Sequence, residues 1–306
     1  MRVWYFTEPM THQTELLTAT GSLTAEQIKH YNEEGFLVLP ELLTDRDMKP
    51  ARDAMNEKAS EIIAKLYDEG LISSKFEESP FESQLAEVFA NLSENDFVRF
   101  GAGWRDRKPG YFHLMNNSKI VDAVESLIGD ELFSNPVYNV RPKVPKVAAG
   151  AVPWHQDKSY WPDANSNPVI TVWIALVDAT LENGCLHVLP RTHKTKFLSW
   201  HNTDVSFKAD ANSGYRELDV EHVTGKKITP LPLKAGGAIL FNDRCIHMST
   251  PNLSNTVRWS VDLRYQPTDQ DPMRKYGDGF LVRSRNFPER VAQLEDWLAH
   301  RLEHAE

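Results

Sequence analysis

The run Val152-Pro153-Trp154-His155-Gln156-Asp157 sets an imidazole and a carboxylate two residues apart, and His247 supplies a second imidazole far downstream. Arg258 follows His247 after a short turn carrying Pro251 and Asn252. On extended backbone alternate side chains share a face, so such a backbone aims His155 and Asp157 together. Two imidazoles and one carboxylate on one face suit Fe(II) in the manner of non-haem oxygenases and leave coordination positions open. An arginine downstream can hold a dicarboxylate through two parallel hydrogen bonds. A bare His-x-Asp also occurs by chance, as an ordinary hydrogen bond beside an unrelated core histidine. Order and context must separate the two.

The elements that would carry these residues are readable in outline. Thr24 with Gln27 three residues on reads as a capping box, opening a helix that runs to about Glu34 and stops at Gly35. Phe36–Leu39 reads as a short buried strand, Thr44–Tyr67 as a long helix ending near Gly70, and Ser118–Leu127 as another ending at Gly129. From about Val137 the texture turns to β. Thr171–Val177 is rich in β-branched and aromatic residues, and Asn183-Gly184 reads as a hairpin-type turn. Between Thr256 and Tyr265 one parity is apolar (Val257, Trp259, Val261, Leu263, Tyr265) and the other polar (Thr256, Arg258, Ser260, Asp262, Arg264). That alternation fits a strand with its polar face toward a pocket or toward solvent, and the pattern alone leaves both open.

With 306 residues and no linker, repeat or low-complexity tract, one domain is expected. Its parts are an irregular arm over 1–22, a helix-rich flank over 23–135, a β core over 136–268 and a C-terminal helical segment over 269–306. Thirty-four basic against 43 acidic residues give a net charge of −9, which disfavours nonspecific nucleic-acid binding. No apolar run is long enough to cross a membrane, and neither end reads as a signal peptide or a peroxisomal address. Cys185 and Cys245 make no disulfide framework, so a cytoplasmic enzyme is the expectation.

Several motifs in order resemble the phytanoyl-CoA dioxygenase family: Thr24–Pro40, Trp154–Asp157, Thr171–Ala179, Glu182–Lys194 and Ala238–Arg264. One departure is Pro190-Arg191-Thr192-His193, where the family more often has Pro-Gly-Ser-His. The resemblance implies a mainly β fold with flanking helices, a double-stranded β-helix of the jelly-roll, cupin-like kind. It also implies an Fe(II)- and 2-oxoglutarate-dependent dioxygenase consuming O2 and releasing succinate and CO2, with hydroxylation the default and desaturation or cyclisation as variants. His155, Asp157 and His247 would bind the metal. Arg258 and Ser260 would grip the distal carboxylate of 2-oxoglutarate, with Trp173 and Gln156 in the same pocket. Asp157 fills the position that related halogenases leave small, which argues against halogenation. His187 and His193 match the family in structural positions.

The substrate is expected to be a small molecule, and its contacts are less legible. Tyr160 and Trp161 follow Asp157 closely and are expected at the pocket mouth, with Pro162 beside them. The stretch Phe100–Leu114, carrying Trp104, Arg105 and His113, reads as a glycine-punctuated loop that closes over substrate or merely connects. Two other classes remain at this point: a jelly-roll binding protein without turnover, and a cupin-like metal enzyme of another reaction type.

Overall fold

The computed structural model describes residues 21–100, 104, 106–147, 150–161, 169–206, 214–271, 277 and 279–299. The N-terminal arm, apart from Gly21 and Ser22, lies outside them, as do Arg105 and Pro162. In chain order the elements begin with α1 (Ala25–Glu34), β1 (Phe36–Leu39), α2 (Asp45–Asp68), α3 (Gln84–Phe89), α4 (Glu94–Phe100), α5 (Pro109–Met115) and α6 (Ser118–Ile128). The strands β2 (Leu132–Ser134), β3 (Asn139–Lys143), β4 (Val152–His155), β5 (Ile170–Ala175) and β6 (Leu186–Val188) follow. Next come β7 (Trp200–Ser206), β8 (Gly214–Leu218), β9 (Thr229–Leu231), β10 (Ala238–Asn242) and β11 (His247–Ser249). Last are β12 (Arg258–Pro267), β13 (Phe280–Arg283) and α7 (Leu294–Ala299).

The strands form an antiparallel sheet ordered β1-β10-β5-β12-β2-β13, with β3 also paired to β12, and a second sheet ordered β4-β11-β6-β9. This is the jelly-roll arrangement expected. The β7–β8 pair forms a separate two-stranded sheet, packed on β4 and β11 through Trp200 and Leu218 against Trp154 and Met248. Two boundaries differ from expectation. β1 joins the large sheet from within the helix-rich flank, and β13 joins it from the segment expected to be helical. β1 is the short strand expected at Phe36–Leu39, whereas the four-residue β13 is too short for a period to announce it. Asn183-Gly184 is a turn but not a hairpin, because β5 and β6 lie in different sheets and the turn crosses between them.

Local rules set the helix starts. Thr24 and Thr44 each form a capping box, with Gln27 and Asp47 respectively, and Gly35 ends α1 in the left-handed conformation at φ 85°. Arg191 also sits left-handed, at φ 68°. A side chain there costs about 1–2 kcal/mol. The Arg191 guanidinium binds Glu34 at 2.7 Å, which ties the turn to the end of α1.

β12 decides the architecture. Both of its faces are buried. Val257, Trp259, Val261, Leu263 and Tyr265 enter the core shared with α2, α5 and α6. Burying each such large side chain contributes roughly 1.5–3 kcal/mol. Trp259 stacks on Phe81 at 4.7 Å and packs against Trp104 at 5.4 Å. The polar parity faces inward as well, so the choice between pocket and solvent resolves to a pocket. The stretch expected as a loop over 100–114 is helical from Pro109, and α5 packs tightly on α2. A Cβ at Gly110 would meet the Pro50 carbonyl oxygen at 1.9 Å.

Candidate metal centre and co-substrate pocket

β4 and β11 pair antiparallel with His247 directly opposite His155, which brings the two imidazole centroids to 4.2 Å. The strand ends at His155, but Gln156 stays extended at φ −107° and ψ 132°, so Asp157 still turns to the same face before a 3-10 turn begins. Asp157 Oδ1 lies 3.5 Å from His155 Nε2 and 4.0 Å from His247 Nε2, and all three side chains are buried.

The hydrogen bonds fix which atoms face one another. His155 Nδ1 lies 2.8 Å from the Pro153 carbonyl and His247 Nδ1 2.9 Å from the Cys245 carbonyl. A carbonyl only accepts, so each Nδ1 carries the proton and each Nε2 presents its lone pair. Burial, helped by His155, lowers the His247 pKa to about 4, which keeps that ring neutral. Burial pushes the Asp157 carboxyl up, but Arg264 and the two histidines outweigh it and hold it well below the usual range. Thr171 on β5 donates to Asp157 Oδ2, and Arg264 on β12 reaches both carboxylate oxygens at 3.2 and 3.3 Å. The Phe241 ring stacks on His247 at 4.7 Å. Two imidazoles and an ionised carboxylate, oriented in advance, fit a ferrous ion.

Along the inner face the polar pocket continues. Arg258 is 2% exposed; its Nη1 donates to the Gly184 carbonyl at 3.0 Å and its Nη2 to Ser260 Oγ at 3.2 Å. The guanidinium lies 5.2 Å from the Trp173 ring. The backbone carbonyl that Arg258 meets belongs to the crossing turn, where Gly184 adopts φ +83° and an added Cβ would strike the Thr250 carbonyl at 2.3 Å. Directly across from Arg258 on β3 stands Lys143, 3% exposed, whose Nζ donates to Ser249 Oγ at 2.7 Å and to the Thr250 carbonyl at 2.5 Å. Burial lowers the pKa of both cations, and each neighbours further positive charge. Arg258 falls to about 10 and Lys143 well below its ordinary value.

Of the other residues singled out in the sequence, Gln156 faces away. Its amide is engaged by the backbone, donating to Arg244 O and accepting from Leu198 N, so it braces the loops instead of lining the pocket. Tyr160 does lie by the metal site, edge-on to His155 at 5.8 Å. Trp161 is not at the mouth. It is fully buried with Val137 and Val169, and Arg264 sits 5.3 Å from its ring. Trp104 belongs to the helical core beside Trp259, and His113 is exposed on α5, because that segment packs as a helix rather than lying over the site. His187 alternates with Val188, the residue opposite His247, and so points to the other side of its sheet. His193 Nε2 meets the Asn32 carbonyl at 3.1 Å, a tie to α1.

Sequence reasoning passed over Lys143, Arg141, Thr171 and Ser249. The polar alternation Asn139, Arg141, Lys143 was a usable signal, but Pro142 between them argues against a central strand. The structure reconciles the two, since β3 pairs through its whole length with β12 and, among the described residues, its other edge meets only a single bridge from Trp104 at Val140, which leaves Pro142 on the open side.

A sequence profile of the phytanoyl-CoA dioxygenase family matches residues 31–260. A phytanoyl-CoA dioxygenase of Arabidopsis thaliana is 25% identical over 272 residues, covering 82% of this chain and 91% of its own. A methylphosphonate hydroxylase of Gimesia maris is 26% identical over 254 residues, covering 83% and 85%. In three dimensions the chain is similar to SnoK, a non-haem, α-ketoglutarate-dependent carbocyclase from nogalamycin biosynthesis. The TM-score is 0.56 at 19% identity, over 84% of this chain and 89% of that one, and this likeness shows the fold. The chain belongs to the phytanoyl-CoA dioxygenase family of Fe(II)- and 2-oxoglutarate-dependent oxygenases, which act on small molecules.

Proposed function

We propose that His155 Nε2, Asp157 Oδ1 and His247 Nε2 hold the ferrous ion, and that Arg258 with Ser260 receives the distal carboxylate of 2-oxoglutarate beside the Trp173 ring. Residues 1–306 act as one oxygenase domain that hydroxylates a C–H bond of a small molecule. Iron, 2-oxoglutarate and O2 together supply that oxidation, in which one oxygen atom enters the product and the other enters succinate as CO2 leaves. The protein's own part is positional. Arg264 and Thr171 keep Asp157 in place, the Pro153 and Cys245 carbonyls fix the histidine tautomers, and Arg258 orients the co-substrate. A cytoplasmic location agrees with Cys185 and Cys245 both being buried free thiols. Among the described residues no helix is long and apolar enough to cross a membrane.

The observation that carries this reading is the cross-strand pair His155–His247 with both Nδ1 atoms satisfied by carbonyls and both Nε2 atoms turned to Asp157. The test is succinate release from 2-oxoglutarate by the purified protein, with and without Fe(II), alongside its metal content. The expected result is iron-dependent succinate that disappears, together with bound iron, in His247→Ala. Undiminished succinate release and iron content in that variant would overturn the assignment.

A further inference from the structure

The inner face of β3 and β12, with Asp157, holds four cationic side chains and two carboxylates: Arg141, Lys143, Arg258 and Arg264 against Asp157 and Asp262. The pairs are specific. Arg264 reaches Asp157 at 3.2 Å and Asp262 at 2.8 Å, and Arg141 Nε reaches the other oxygen of Asp262 at 2.7 Å. Asn139 completes Asp262 at 2.7 Å. If the site fills as proposed above, a ferrous ion adds two positive charges and a 2-oxoglutarate dianion removes two. The excess of cations over carboxylates therefore survives occupation of the cofactor and co-substrate sites. Even a deprotonated Lys143 leaves a positive remainder. Uncompensated charge in a buried pocket is costly, so a further anion has a reason to bind there.

The structure also indicates where. Arg258 is assigned to the co-substrate, Arg264 has both terminal nitrogens on carboxylates, and Lys143 is held by Ser249 and Thr250. Arg141 differs. Its side chain is 30% exposed, and among the described residues only its Nε has a hydrogen-bond partner, so the two-nitrogen fork is open. Two phenols lie within electrostatic reach of it, Tyr160 from the turn after Asp157 and Tyr215 from β8. Tyr160 Oη accepts from Arg216 N at 3.4 Å, which leaves its own O–H to donate, and its ring meets His155 edge-on. An open guanidinium fork, with a phenol nearby that packs on His155, can receive a planar or tetrahedral oxyanion.

From this geometry we infer that Arg141, with Tyr160, forms the substrate-recognition subsite, and that the primary substrate carries an anionic oxyacid group, a carboxylate or a phosphonate. The inference rests on the function proposed above, with Arg258 as the co-substrate residue. Arg141 orients the substrate by its anion, so that the bond to be oxidised lies toward the metal and the anion lies toward solvent.

The test is calorimetry on the protein loaded with Fe(II) and 2-oxoglutarate under argon, with three probes: 3-phenylpropanoate, phenylphosphonate and the neutral 3-phenylpropan-1-ol. Both anions should bind, and the alcohol should bind at least about tenfold more weakly, with the gap narrowing as salt is added. The stronger of the two anions identifies the acid group. Arg141→Gln should weaken the anions at least about tenfold while 2-oxoglutarate affinity stays within about twofold, and Arg141→Lys should recover part of the loss. Circular dichroism of each variant checks that it is folded. Four results overturn the inference: neither anion binds, the alcohol binds as well as they do, Arg141→Gln leaves them unaffected, or it weakens 2-oxoglutarate as much as it weakens them. The last would put Arg141 in the co-substrate site. Failure of the underlying reading shows separately, as wild-type protein that takes up no 2-oxoglutarate, and the same probes on the unloaded protein then still decide whether Arg141 binds anions.

Discussion

The two ends of the polar pocket are built on opposite electrostatic principles. At the metal end Asp157 is ringed by Thr171, Arg264 and two histidines whose second nitrogens already have partners. At the far end Arg258 and Lys143 stand directly opposite each other on adjacent strands, and their hydrogen bonds go to carbonyls and hydroxyls only. Like charges facing each other across a ladder destabilise it. The first end is stable in the geometry it needs. The second is under tension that an incoming carboxylate, bound as proposed, would relieve. An enzyme that must retain one ligand and exchange another in every cycle is well served by this difference.

Removing a cation at the tense end gives the sharpest test. Arg258→Ala should weaken 2-oxoglutarate by about a hundredfold or more, because losing one partner of a buried charge-assisted pair costs about 2–5 kcal/mol. Metal affinity should change little. Titration of 2-oxoglutarate into each protein measures this, and equal affinities would dissolve the contrast between the two ends.

At the settled end the effect should fall on the metal instead. Arg264→Lys keeps the charge but loses the fork that spans Asp157 and Asp262. Iron affinity should drop by about 10–100-fold, the usual result of disturbing an outer partner of a metal ligand. Measuring metal retention by competition with a chelator checks it. A variant that keeps iron fully but loses 2-oxoglutarate would reverse the roles of the two ends.

The smallest effect should be a gain. Lys143→Met replaces a buried cation with a flexible apolar chain, and relief of the repulsion should raise the melting temperature of the unloaded protein by about 2–4 °C for about 1 kcal/mol. The pH dependence has a definite sign. The folded pKa of Lys143 is lowered, first by burial and then by Arg258, so the unfolded chain binds the extra proton between that value and its ordinary ~10.4. Wild-type stability should therefore rise with pH across this window, and the advantage of the methionine variant should shrink as pH approaches ~10.4. Melting curves at several pH values decide it. A destabilised variant would mean that the bonds to Ser249 and Thr250 outweigh the repulsion.

Much of the pocket was legible before any coordinates. The period-two alternation of Thr256–Tyr265 showed one polar and one apolar parity, because a strand sends successive side chains to opposite faces. The capping boxes at Thr24 and Thr44 are equally local and appear in the structure as sequence rules require, although only the first was read. The failures have a common cause. Trp161 is expected at the mouth because it lies near Asp157 in sequence, and Trp104 belongs to a glycine-punctuated stretch that reads as either a lid or a connector. Proximity along the chain does not fix direction, and both indoles turned into cores.

The sequence by itself determined the candidate ligand set, the N-caps, the face of β12 that is polar and, through the order of its motifs, the family. Those are short-range properties, set by backbone periodicity and side-chain chemistry. Tertiary structure decided that the polar face of β12 looks inward, that His247 pairs with His155, and that Arg264 rather than a neighbour in sequence secures Asp157. It also decided that Lys143 confronts Arg258 while Arg141 is left with an open fork. Each of these depends on which strands meet and in what register, and a one-residue slip in register would turn every one of those side chains to the other side of the sheet.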